Sequence, residues 1–155
     1  MTGRVATRLE QLGLALPPQH QPAGTYVGHV ATGSLVHVAG VGPTWGQTVR
    51  YRGKVGAALT TADGYAAARL TALNLLAHMQ AACASDLDRI DRCVKIFALV
   101  NADAGYGDAH LVANGASDLI AELFGADRLP ARSVTTAPAL PFDIAFEADA
   151  VFLIH

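Results

Sequence analysis

The residue pattern of this 155-residue chain encodes an α+β domain, a mixed β-sheet with two long helices on one face. Three observations lead there. Residues 64–84 and 108–124 repeat apolar side chains at helical spacing. Residues 94–102, between them, are apolar on both faces of a strand period. Segments near both ends alternate with period two, so the order reads ββαβαββ behind a short N-terminal helix. No repeat or linker divides the chain, and residues 1–155 are expected to form a single domain.

Each element has its own signal. Val5, Leu9, Leu12 and Leu16 predict a helix over 4–16, ended by Pro17-Pro18. Tyr26–Val30 and Leu35–Ala39 predict a hairpin turning at 31–34. Six glycines between Gly40 and Gly64, with Pro43, Trp45, Tyr51 and Arg52, predict a long loop with a short strand near 49–51. Loops of that length in compact domains are often functional, although packing on its own domain suits this one better than a lid. Thr61, Ala62 and Asp63 supply N-cap candidates for the first long helix. Gly125 is positioned to end the second, and Gly115 inside it points to close packing. Strands are expected over 132–137 and 144–153. In the latter Ile144, Phe146, Ala148, Ala150 and Phe152 share one face, and Ala145, Glu147, Asp149, Val151 and Leu153 the other.

Composition excludes several classes. The chain is 52% hydrophobic and 15% charged, with mean hydropathy +0.30. So few charges would cover a monomer poorly, and an oligomer that hides an apolar face is expected. Net charge is −2 and the basic residues are scattered, which argues against nucleic acid as a partner. No apolar run approaches the roughly 18 residues of a membrane span, and residues 1–16 lack a signal-peptide core. Cys83 and Cys93 lack metal spacing and read as reduced core thiols of a cytoplasmic protein. The six histidines form no short ligand pair, so no metal site is expected.

Arg132 and Glu147 are the chemistry-bearing candidates. A guanidinium in that position can grip a carboxylate bidentately, or serve as half of an ion pair. Glu147 interrupts an apolar face, where a carboxylate is costly unless paired or functional. If strands 132–137 and 144–153 form an antiparallel hairpin, Arg132 lies opposite Asp149 and shares a face with Glu147. That register serves an ion pair as readily as a site. Tyr26 is either a stacking or hydrogen-bonding group or a half-buried strand tyrosine, and Asn114 either bridges near the cleft or lies on a helix surface.

The segment Pro130-Ala131-Arg132-Ser133, then Leu140-Pro141, then Glu147, resembles the Rid family (also called YjgF, or endoribonuclease L-PSP) without a gap. Tyr26-Val27, Gly33 and Ala39-Gly40 resemble its first hairpin, and Asn114 matches its asparagine after a one-residue insertion. The resemblance spans about 24–152. It implies a chorismate-mutase-like fold and a homotrimer with clefts between subunits. It also implies hydrolysis of amino-acid-derived imines and enamines to 2-oxo acids and ammonia, without metal or organic cofactor. Arg132 would hold the carboxylate of a small metabolite, Glu147 would position water, and Tyr26, Asn114 and Ser133 would steady the substrate.

Two positions depart from the archetype. Ala39 replaces a serine and Val134 a cysteine, and the loop over 41–63 is longer. A divergent subgroup is implied, with a non-catalytic trimeric sensor of a carboxylate metabolite as the alternative. Ribonuclease activity, attributed to some relatives, fits the acidic balance poorly.

Overall fold

A computed structural model describes residues 3–155. The N-terminal helix α1 (Arg4–Gln11) stops short of the expected 4–16, because Gly13 takes the left-handed region, with φ +67°. Its first turn has no side-chain cap of its own. The Asp88 carboxylate accepts from the backbone N–H of Arg4 at 2.6 Å and Val5 at 2.8 Å instead. Those bonds hold Asp88 below its ordinary pKa.

β1 (His29–Thr32) and β2 (Leu35–Val41) form the first hairpin, turning at Gly33-Ser34 with Gly33 at φ +59°. The expected start at Tyr26 is three residues early. β3 (Thr44–Trp45) and β4 (Thr48–Val49) make a small separate hairpin inside the long loop. Next comes α2 (Thr61–Ala82). Its N-cap is Thr60, one residue before the expected candidates, in a capping box with Asp63.

β5 (Ile90–Asn101), α3 (Ala109–Phe124), β6 (Ala131–Ala137) and β7 (Phe146–Ile154) complete the fold. The main sheet runs β1-β2-β7-β5-β6, with β5 and β6 parallel and the other neighbours antiparallel. The expected hairpin of β6 on β7 is therefore wrong: β5 lies between them. Arg132 pairs with Ile96 of β5, not with Asp149. The connection between β6 and β7 is not a tight turn, since Phe142 and Asp143 both take left-handed backbone at φ 58° and 56°.

Val36, Val38, Ile96, Ala98, Val100, Phe146, Ala148, Ala150 and Phe152 make up the buried face beneath α2 and α3. Val94, which opens the expected 94–102 strand, is not among them. A bulge between Cys93 and Lys95 puts Cys93 inward and leaves Val94 exposed. Burial pushes the Cys93 thiol up to about 12, which keeps it inert. The two helices meet closely at Gly115, where a Cβ would stand 2.1 Å from the Tyr65 carbonyl oxygen. Arg69 grips Glu122 bidentately across the same seam, at 3.1 and 2.6 Å.

The opposite sheet face carries Leu35, His37, Lys95, Phe97, Leu99, Ser133, Glu147, Asp149, Val151 and Leu153, with no element of the described chain over it. Phe97 is 39% exposed there. No described helix is long and apolar enough to cross a membrane.

Candidate functional site

The sequence candidates fall into two groups on opposite faces of the sheet. Arg132 pairs with Ile96, whose side chain is buried under the helices, so Arg132 is on the helix side of edge strand β6. Its Nη1 donates to Asn114 Oδ1 at 3.0 Å and to Ser117 Oγ at 2.9 Å, and its Nη2 donates to the His110 carbonyl at 3.2 Å. All three acceptors come from α3. Asn114 and Ser117 are three apart on that helix and so share a face. Every partner is neutral, and Arg132 makes no ion pair with a described carboxylate. Partial burial lowers its pKa, because charge there is poorly hydrated. Within one copy Arg132 therefore forms no ion pair with Glu147 or Asp149. What remains is a partly desolvated guanidinium, fixed by three neutral acceptors, with donors to spare.

Glu147 is paired with Leu99 and lies on the open face. It is half-buried at the floor of a cleft of about 560 Å³, lined also by His20, Tyr26, Gly40, Arg52 and Phe142. The floor is shaped by a bulge. Val38 pairs with Ala150 and Val41 with Ala148, which leaves Ala39-Gly40 opposite Asp149 alone. A Cβ on Gly40 would stand 2.6 Å from Glu147 Oε1, so any larger residue there would push the carboxylate out of its present position. Burial raises the Glu147 pKa, and the neighbouring Asp149 charge raises it further. A half-buried carboxyl next to an open cleft is placed to exchange a proton with a molecule bound there.

The other expected residues separate in the same way. Tyr26 lines the Glu147 cleft, 51% exposed, with its hydroxyl accepting from the Ala23 N–H at 3.3 Å. Asn114 belongs with Arg132. Ser133 is on the open face, opposite in direction to Arg132, and accepts from Lys95 Nζ at 2.7 Å. Sequence reading missed Ser117, whose only signal is its spacing from Asn114. It also left Arg52 and Phe142 out of the site. Arg52 reaches the cleft because an isolated antiparallel bridge ties it to Ile144. Behind the cleft, His78 is 3% exposed and bonded through Nδ1 to Gln19 Nε2 at 3.0 Å. Burial lowers its pKa, and the nearby His29 and His20 lower it further. Among the described residues no three His, Cys, Asp or Glu side chains are arranged to hold a metal.

The matching family model is described as "YjgF/chorismate_mutase-like, putative endoribonuclease", and it covers residues 6–150. The chain belongs to this family. Protein TCP17 of Trypanosoma cruzi is 42% identical over 97% of this chain and 94% of its own length. Among solved structures, protein Atu1372 of Agrobacterium tumefaciens, whose function is described as unknown, is 34% identical with TM-score 0.90, covering 97% of this chain and 92% of its own. A "putative endoribonuclease" of Shewanella oneidensis is 29% identical with TM-score 0.93, covering 98% of this chain and all of its own, 100%. The YjgF resemblance and the chorismate-mutase-like architecture expected from the sequence both hold.

Proposed function

We propose that this chain hydrolyses imines and enamines derived from amino acids, in clefts completed by a second copy of itself within a homotrimer. The observation that carries the reading is the separation of the two groups. Arg132 is a guanidinium with neutral partners only, and Glu147 is a carboxyl with a raised pKa. They are on opposite faces of the sheet with β5 between their strands, so one small ligand cannot span both within one copy. The uncovered sheet face, with Phe97, Leu99, Val151 and Leu153, supports a neighbouring copy as its cover.

In that cleft Arg132 of one copy grips the substrate carboxylate and aligns the C=N carbon over Glu147 of the next. Water attacks that carbon while Glu147 takes the water's proton. Glu147 passes that proton to nitrogen, giving the carbinolamine; the carbinolamine hydroxyl proton then goes to nitrogen as the C–N bond breaks, leaving C=O and releasing ammonia. An enamine enters after protonation at its terminal carbon. Net, C=N and water become C=O and ammonia.

The test is release of 2-oxo acid from imines generated in situ by an amino-acid oxidase. Wild type should accelerate release, Arg132→Ala should lose at least about a hundredfold in kcat/KM, and Glu147→Gln should lose kcat. No acceleration across a panel of neutral, aromatic and acidic imines would overturn the reading. A second reading is a carboxylate sensor without turnover, supported by Ala39 and Val134 in place of the archetypal serine and cysteine. Thermal stabilisation by carboxylates that depends on Arg132, with no 2-oxo acid release, would favour it.

A further inference from the structure

The cleft around Glu147 holds a cation that the reaction above leaves unused. Arg52 comes from the loop that is longer than in the archetype, and it lines the same cleft as Glu147 and Tyr26. It makes no ion pair with any described carboxylate. Its Nη1 donates to the Phe142 carbonyl, and the rest of its fork is unengaged.

The placement is held from several sides. The Tyr51 carbonyl accepts from the Ala145 N–H at 3.1 Å, and the Gly53 N–H donates to the Asp143 carbonyl at 2.8 Å. Asn101, fully buried, donates through Nδ2 to Asp143 Oδ1 at 3.0 Å. These bonds fix Phe142 and Asp143 in left-handed backbone, a conformation that persists in such residues only where the surroundings over-determine it. The result is a rigid lip that carries the 61% exposed Phe142 ring and whose Phe142 carbonyl holds the exposed Arg52 guanidinium at the cleft.

We propose that Arg52 is a specificity-determining residue for a second acid group, so that the ligands of this cleft are dicarboxylates. The substrate class is then imines and enamines of dicarboxylic amino acids. This rests on the reading of the cleft as shared between Arg132 of one copy and Glu147 of the next. Charge matching carries it. A monocarboxylate satisfies Arg132 and leaves Arg52 without an anion, whereas a diacid engages both forks bidentately.

Isothermal titration with two five-carbon product analogues, 2-oxopentanedioate and 2-oxopentanoate, tests it without turnover. Wild type should bind the diacid at least about tenfold tighter. The ratio should fall towards one in Arg52→Gln and lie between in Arg52→Lys, which keeps the charge but loses the fork. Equal affinities in wild type, a ratio unchanged in Arg52→Gln, or no binding of either acid would overturn the proposal. If Arg52→Gln fails to fold, the wild-type and Arg52→Lys ratios decide. A tenfold ratio without imine turnover would uphold the selectivity and remove the chemistry. Turnover of neutral imines with a ratio of one would do the reverse.

Discussion

The Arg132 side and the Glu147 side of this molecule are built by different means. Arg132 sits on a regular strand and is fixed by one face of a regular helix, through Asn114, Ser117 and the His110 carbonyl. Glu147 also sits on a regular strand, but its surroundings are irregular: a bulge at Ala39-Gly40, the segment around Tyr26, the 41–63 loop and the strained lip at Phe142. A guanidinium that grips a carboxylate needs only rigid, neutral supports. A carboxyl that must exchange protons needs partial burial, water and a shaped wall, which regular elements supply poorly. The wall is also where variation among relatives would change the substrate while the grip stays the same.

Two glycines separate the two sides. Gly40→Ala puts a methyl against Glu147 Oε1 and should lower kcat by about tenfold to a hundredfold with stability nearly unchanged, by displacing the reacting group. A kcat equal to wild type would mean that the position of Glu147 does not matter to turnover. Gly115→Ala drives a methyl into the Tyr65 carbonyl on the seam of α2 and α3. It should cost about 1–3 kcal/mol by chemical denaturation. Because α3 carries the supports of Arg132, it should also raise KM for carboxylate substrates more than it lowers kcat.

A smaller effect is expected from pH. In the proposed hydrolysis Glu147 acts ionised, so kcat/KM should rise with pH through its raised pKa, and Asp149→Asn should move that limb to lower pH. The stability consequence has the opposite sign. The folded state holds the Glu147 proton in the window between the unfolded and the raised folded pKa, so stability falls as pH rises through that window. Above it, Glu147→Gln should melt higher than wild type. Equal melting temperatures there would mean that burial of the charge costs nothing.

Much of the Arg132 side was legible in the sequence. The helix of Asn114, the strand of Arg132 and the alternation that aims Glu147 away from Phe146 all follow from local periods of two and 3.6. Which strands are neighbours does not. A six-residue connection after β6 suggested a hairpin, and only the insertion of β5 between β6 and β7 shows that Arg132 and Glu147 face apart. The bulges were equally hidden. Neither Gly40 in β2 nor Val94 in β5 differs locally from a regular strand residue, because a bulge is defined by the partner strand. Arg52 was visible as a charge in a glycine-rich loop, but its place beside Glu147 depends on a bridge to Ile144, more than ninety residues along the chain.

The central claim is that each cleft takes Arg132 from one copy and Glu147 from the next. Mixing Arg132→Ala with Glu147→Gln under conditions of subunit exchange tests it. With random assembly at equal amounts, about a quarter of the clefts pair an intact Arg132 with an intact Glu147, so two variants that are inactive alone should recover about a quarter of wild-type activity. A fully exchanged mixture that stays as inactive as its components would contradict the shared cleft.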